Sequence, residues 1–330
     1  MTASLEPSAA VNTTALARLP DFFIVGHAKS GTTALYEMLK QHSQIYMPDV
    51  KESWFFVPEL RSPARRGNAD RHPHTLEGYL SLFQDAKPAQ RAGEATPSYL
   101  FSHDAARRIA EVQPAARIIA ILREPASFLR SLHLQFLQTN VETESDLGKA
   151  ISLEGRRREG KDLPPNCTRP QALLYSDHVR YVEQLRLYHD VFSPEQILVL
   201  IYDDFRADND ATVRRVLRFL DVDDTSAIEQ TDANPTVQVR SPRLYGLVRS
   251  LYLGRGPGSR RAKKVIKALT PQRLRHEVIA IEHRAQLGAP QPADEQLMLE
   301  LRHRFKDEVV ALSDYLDRDL VGLWGYDSLG

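Results

Sequence analysis

The stretch Phe22-Phe23-Ile24-Val25-Gly26-His27-Ala28-Lys29-Ser30-Gly31-Thr32-Thr33 constrains this chain more than any other. Four apolar residues run into a glycine. A short loop with one lysine, one further glycine and three hydroxyls follows, and Ala34-Leu35-Tyr36-Glu37-Met38-Leu39-Lys40 then reads as a helix. A strand that turns through such a loop into a helix presents backbone N–H groups and a helix N-terminus to a phosphate. The loop therefore predicts a nucleotide ligand and the first strand of an α/β sheet. The nucleoside-triphosphate pattern G-x-x-x-x-G-K-[ST] requires a lysine directly after its second glycine. Here Lys29 lies two residues before Gly31, and Thr32 occupies the lysine position. Taken alone, the loop also fits a Gly/Ser/Thr turn with a solvated lysine.

The rest of the chain repeats the strand–helix alternation. Strands are expected at 22–25, 45–47, 92–99, 117–122 and 197–201, and helices at 32–42, 76–83, 105–112, 126–137, 176–188 and 210–220, with final helices near 293–316. Apart from Arg117 at its start, the run Arg117-Ile118-Ile119-Ala120-Ile121-Leu122 is apolar, as is Ile197-Leu198-Val199-Leu200-Ile201, as in strands buried on both faces. This predicts an α/β fold, a parallel sheet flanked by helices with a helical C-terminal part, whose ligands sit at the C-terminal strand ends. Residues 1–20 read as a disordered lead-in and 21–330 as a single domain. Two segments are expected to be mobile covers over substrate or cofactor. The polar stretch 139–172 is one. The other is 240–276, which holds eleven Lys/Arg and no Asp or Glu. A long one-signed run suits a phosphorylated ligand, an acidic acceptor or an anionic membrane. It also suits a solvated face balanced by acids elsewhere.

The chain has 330 residues, enough for a sizeable core, with 43 basic and 43 acidic side chains. Zero formal charge argues against bulk nucleic-acid binding, so no nucleic acid is expected as partner. One cysteine, Cys167, excludes an internal disulfide framework and any multi-cysteine metal site. The eleven His show no metal-binding spacing, so no metal is expected. With no signal-peptide pattern and no long apolar run, the expected localisation is cytoplasmic.

Three further segments carry chemistry. Arg123 leaves a buried strand and Ser131 follows eight residues later, two turns into the next helix. A planar guanidinium there suits paired hydrogen bonds to phosphate oxygens. Lys51-Glu52-Ser53-Trp54-Phe55-Phe56 joins an acid–base pair to an aromatic stripe, and Gly93-Glu94-Ala95-Thr96-Pro97-Ser98-Tyr99 puts an acid and hydroxyls at a strand end.

Together these segments resemble the motifs of sulfotransferases that use 3'-phosphoadenosine 5'-phosphosulfate (PAPS). The resemblance is to bacterial-type members and to the carbohydrate and heparan sulfate branch, and it spans about residues 20–326. It implies that His27, Ala28, Lys29, Ser30, Gly31, Thr32 and Thr33 form the 5'-phosphosulfate loop, and that Arg123 and Ser131 grip the 3'-phosphate. Arg240, in Arg240-Ser241-Pro242-Arg243, is similar to a cofactor-covering contact. Lys51-Glu52-Ser53-Trp54-Phe55-Phe56 resembles Lys-Glu-x-x-Phe-Phe, whose glutamate is the base. The implied roles are Glu52 as general base and Lys29 as stabiliser of the leaving group, with PAP as product and no metal. Lys51, Glu94 and Ser98 are implied on the acceptor side, Glu94 contacting acceptor or orienting Lys29. The 93–99 segment resembles Glu-Lys-[ST]-Pro-x-Tyr, except that Ala95 replaces the lysine.

Three functions stay open on these residues. One is a PAPS-dependent sulfotransferase acting on a carbohydrate, lipid or other small-molecule hydroxyl. The others are a P-loop small-molecule kinase using Mg-ATP, and an inert nucleotide-binding protein of the same fold. A histidine is the rival to Glu52 as base; His103 lies in the right interval but lacks the flanking pattern.

Overall fold

Five short segments pair into one parallel sheet in the computed structural model. It describes residues 18–61, 72–165, 167–229, 238–239, 287–288 and 292–329. The strands are β1 (Phe22–Ile24), β2 (Ile45–Tyr46), β3 (Arg91–Ala95), β4 (Arg117–Leu122) and β5 (Ile197–Ile201). Their order is β2-β3-β1-β4-β5, with Ile24 opposite both Ala95 and Ile119. Side chains alternate across the sheet. Phe23, Val25, Ile118, Ala120 and Leu122 enter one apolar cluster, and Phe22, Ile24, Ile119 and Ile121 enter the other. β1, β5 and, beyond Arg117, β4 are hydrophobic on both faces because both are covered, whereas β3 carries the buried Glu94.

The second cluster packs under α1 (Thr32–Lys40). The first lies under several helices. α2 (Leu76–Leu80) precedes β3, and α3 (Ser98–Phe101) and α4 (Ala105–Val112) follow it. α5 (Pro125–Thr139) follows β4 directly. Pro125 sits in its first turn, and the Glu124 carboxylate caps the N–H groups of Ala126 (3.1 Å) and Ser127 (2.6 Å). Next come α6 (Leu147–Ser152), α7 (Glu154–Arg158) and α8 (Tyr181–His189). After β5 come α9 (Tyr202–Ala207) and α10 (Asn209–Phe219), the latter packing into the second cluster. Gln238–Val239 (β6) and Leu287–Gly288 (β7) pair antiparallel. The chain ends in α11 (Glu295–Leu316), packed on α5 and α8, and α12 (Leu320–Leu323). Among the described residues no helix is long and apolar enough to cross a membrane.

Two expectations change. The lead-in was expected to run to residue 20, but Arg18 belongs to the body: its guanidinium donates to Asp21 Oδ2 at 2.9 Å and to the carbonyls of Lys87 and Gln90. The stretch 139–172, expected as a polar excursion, builds α6 and α7. It is pinned by a buried pair in which Arg157 donates to both Glu142 oxygens (2.7 and 3.0 Å). Asp203 and Asp204 lie in the first turn of α9, where acids stabilise a helix N-terminus. The basic stretch 240–276 and Arg240 lie outside the described residues.

Candidate active site

Neighbouring strands β1 and β4 send the chain to opposite sides, β1 toward β2 and β4 toward β5. Such a switch point opens a crevice at the C-terminal strand ends. The 26–31 loop lies on one side of it and Arg123 on the other. Gly26 is required there, because a Cβ would lie 2.3 Å from the Ile121 amide nitrogen. Gly31 takes φ +86° as the N-cap of α1, and its missing Cβ leaves room for the Phe205 ring. No side chain caps α1. Its first N–H groups, those of Thr32 and Thr33 included, have no intrahelical acceptor and form an anion-binding terminus. The Ser30 hydroxyl is buried without a hydrogen-bond partner among the described residues. An orphaned hydroxyl beside an uncapped helix start fits a phosphate group of a nucleotide.

His27 was expected among the groups facing the cofactor. Its N–H donates instead to the Ile121 carbonyl (3.2 Å), and its ring is buried against Phe128 and Tyr181. The Gln184 amide nitrogen donates to the carbonyls of Asp177 (2.9 Å) and His178 (3.3 Å), so its oxygen faces His27 Nε2 at 2.9 Å. That network assigns the proton to Nε2. Burial lowers His27 to about 3, with His178 adding to the shift, so the ring is neutral at ordinary pH. His27 is an anchor beneath the loop.

Lys29, at φ +65°, is held by Arg123, whose Nη1 donates to its carbonyl at 2.9 Å. The Arg123 guanidinium lies over the Tyr202 ring, 4.8 Å from its centroid, and its own carbonyl accepts from the Tyr181 hydroxyl at 2.8 Å. Burial, and then the Arg123 charge, push the Lys29 ammonium below its ordinary value. An anion bound between them would relieve both effects. Ser131 is buried on α5, two turns beyond Arg123.

The places of the residues expected on the acceptor side follow from the β3–β1 register. Ala95 sits opposite Ile24, and the Ala95 carbonyl accepts from Glu52 N–H at 3.0 Å. Glu52 therefore lies at the same sheet edge as the 26–31 loop. Its carboxylate is partly exposed and pairs with Lys51 Nζ at 3.3 Å. Glu52 has φ +61° and Trp54 φ +56°. Seven non-glycine residues take positive φ among the described residues, and four of them are Asn or Asp, which tolerate it. The other three are Lys29, Glu52 and Trp54, and all lie at this site. Each such backbone costs of order 1–3 kcal/mol, and strain of this kind concentrates at functional sites.

Glu94 is corrected. Expected to contact acceptor or orient Lys29, it is 1% exposed. Its carboxylate accepts from Ser53 (2.7 Å), Thr96 (2.7 Å), Tyr99 (2.8 Å) and Tyr79 hydroxyls, a set that closes it off from any acceptor. Ser98 is the first, half-buried residue of α3. Residues missed in the sequence are Tyr202, Tyr181 and Phe205, which support Arg123 and Gly31. Tyr202 and Phe205 directly follow β5, so the strand-end rule alone could have flagged them.

The family model described as Sulfotransferase family matches residues 20–226, and the chain belongs to that family. It is 25% identical over 275 residues to carbohydrate sulfotransferase 15 of Mus musculus, covering 68% of this chain and 48% of that protein. It is 29% identical over 169 residues to the heparan sulfate glucosamine 3-O-sulfotransferase 3A1 of Mus musculus, covering 49% and 37%. The chain thus spans about half the length of the curated relatives it matches, or less. A sulfotransferase from Alicyclobacillus acidocaldarius shares the fold, with TM-score 0.66 and 23% identity over 92% of this chain and 98% of that one.

Proposed function

We propose that this chain transfers a sulfuryl group from PAPS to a hydroxyl of a carbohydrate or other small-molecule acceptor. The observation that carries the reading is the crevice between β1 and β4. There Arg123 holds the Lys29 carbonyl, and an orphaned Ser30 hydroxyl lies beside an uncapped helix start. When bound, PAPS supplies the sulfuryl group and a bisphosphate leaving group. Gly31, Thr32 and Thr33 offer N–H donors, and Ser30 its hydroxyl, to the 5'-phosphate side. Lys29 supplies positive charge where the leaving oxygen becomes negative. Arg123 and Ser131 engage the 3'-phosphate. Glu52, exposed at the adjacent strand end, accepts the acceptor's proton. Lys51 steadies that carboxylate.

Calorimetry of adenosine 3',5'-bisphosphate against ADP and ATP, each with and without magnesium, tests the reading. Metal-independent preference for the 3'-phosphorylated ligand is expected. Preference for Mg-ATP would sink it in favour of a kinase, and tight bisphosphate binding with no turnover of PAPS would mark an inert binding protein.

A further inference from the structure

The Glu52 turn rests on a buried carboxylate that the proposed chemistry does not use. Ser53 is wholly buried between the two left-handed residues Glu52 and Trp54. Its hydroxyl donates to Glu94 Oε1 at 2.7 Å, lies 3.0 Å from the Tyr99 hydroxyl and accepts from the Phe55 N–H at 3.2 Å. Glu94 in turn takes hydroxyl protons from Thr96, Tyr99 and Tyr79.

We propose that Glu94 is a positioning residue for Glu52, acting through Ser53 to hold the 51–54 turn in the left-handed backbone that presents the Glu52 carboxylate. The inference rests on Glu52 being the base.

Three physical points support it. A buried carboxylate is costly to desolvate, and an apolar side chain would fill a core position at less cost. Burial does raise the Glu94 carboxyl above its ordinary value, against the pull of its hydroxyl donors. What Glu94 offers is directed acceptance: Oε1 gathers Ser53, Thr96 and Tyr99 at one point. Second, two consecutive β3 residues grip the same turn, Glu94 by its side chain and Ala95 by its carbonyl to Glu52 N–H. Third, the far end of the turn is fixed independently. Arg61 Nε donates to the Trp54 carbonyl at 2.8 Å, and the Arg169 guanidinium lies over the indole, 5.0 Å from its ring. With both ends held, the Ser53–Glu94 bond is the link that fixes the middle, where non-glycine residues adopt a backbone they otherwise avoid.

The test compares E52Q, S53A, E94Q and Y79F in the full chain. Three quantities are read: the Kd for adenosine 3',5'-bisphosphate, release of that bisphosphate from PAPS with water as acceptor, and acrylamide quenching of Trp54. The chain has two tryptophans, so the quenching is read in a W324F background. S53A and E94Q are expected to slow release ten- to a hundredfold, as a misplaced reacting group does. They should raise Trp54 quenching and leave the bisphosphate Kd within twofold. Y79F removes a bond to the same carboxylate without touching Ser53. It should lower the thermal midpoint while release and quenching stay within twofold of wild type. Wild-type release and quenching in folded S53A and E94Q overturn the inference, as does a Y79F that loses release as they do. Should S53A not fold, E94Q decides by the same readings. Wild-type release in E52Q overturns the base assignment instead, and Trp54 quenching then decides whether Glu94 holds the turn.

Discussion

Arg123 Nη1 donates to the Lys29 carbonyl oxygen at 2.9 Å, a bond that joins two motifs 94 residues apart. Arg123 is therefore more than the phosphate contact proposed for it. It fixes the left-handed residue whose ammonium is proposed to stabilise the leaving group. R123A should weaken adenosine 3',5'-bisphosphate by about tenfold to a hundredfold, the scale of a lost hydrogen bond to charge, about 1.5–3 kcal/mol. It should also lower kcat, because Lys29 loses its support. R123K keeps the charge but not the planar fork over Tyr202, and should recover only part of the affinity. Calorimetry paired with steady-state kinetics reads both effects, and an unchanged kcat in R123A would confine Arg123 to ligand binding.

The lowered Lys29 ammonium gives the site a proton linkage. Burial and Arg123 disfavour its charged form, and a bound phosphate favours it. Bisphosphate binding should therefore take up protons and weaken as pH rises through the lowered Lys29 value. Calorimetry in buffers of different ionisation enthalpy measures the uptake, and K29M should abolish it. The folding sign is separate. Between the lowered value and 10.5 the unfolded chain binds more protons, so this lysine makes stability rise with pH across that window.

E52Q keeps the shape of the carboxylate and removes its basicity. General base catalysis contributes typically about 10²–10⁴-fold, so turnover of PAPS should fall within that range with the bisphosphate Kd unchanged. Equal loss of affinity and turnover would instead place Glu52 in ligand binding.

β1, β4 and β5 were legible because they are apolar runs flanked by glycine, proline and acids. β4 and β5 have the expected bounds, 117–122 and 197–201, and α4 the expected 105–112. That the 26–31 loop and Arg123 meet at one crevice was legible because strand–loop–helix order carries both to the C-terminal strand ends. The turn at 51–54 was not. Positive φ normally announces itself through glycine or asparagine, and here glutamate and tryptophan adopt it. Glu94 was misread because a strand-end acid looks exposed in sequence, whereas β3 lies inside the sheet between β2 and β1. Contacts between distant segments were equally silent. Tyr326 donates to Glu124 at 2.6 Å, Arg318 is bidentate to Asp204 (2.6 and 2.7 Å), and Trp324 donates to Asp203 at 3.0 Å. Periodicity says nothing about pairs more than a hundred residues apart.

That C-terminal clasp yields its own prediction. Asp204 and Arg318 are each about a third exposed, so their bond is worth about 1 kcal/mol after screening despite its two-point geometry. R318A should lower stability by that amount in urea. Because α9 also carries Tyr202 beneath Arg123, it should weaken bisphosphate binding severalfold as well. R318K should restore little of either. Loss of stability with unchanged ligand affinity would show that the clasp does not reach the cofactor crevice.

Acid should unfold this protein through histidines that stay neutral inside it. Burial is the largest cause that lowers His27 to about 3 and His178 to about 4, from 6.5. His178 also lies 3.0 Å from the Ala172 carbonyl through Nε2 and stacks on Phe101 at 4.0 Å. As pH falls below 6.5 the unfolded chain takes up protons that these folded rings refuse, so stability drops through the window from 6.5 to about 4. For each ring the drop by the bottom of that window is roughly 3 kcal/mol, at about 1.4 kcal/mol per unit. Burial also lowers His133, and H178Q removes one of these three titrating groups. It should be less stable than wild type at neutral pH, where it loses the stacking, yet lose less further stability on acidification. Urea unfolding at several pH values across the window measures the slope. An H178Q slope equal to that of wild type would mean that His178 is protonated in the folded state and that burial is not what governs it.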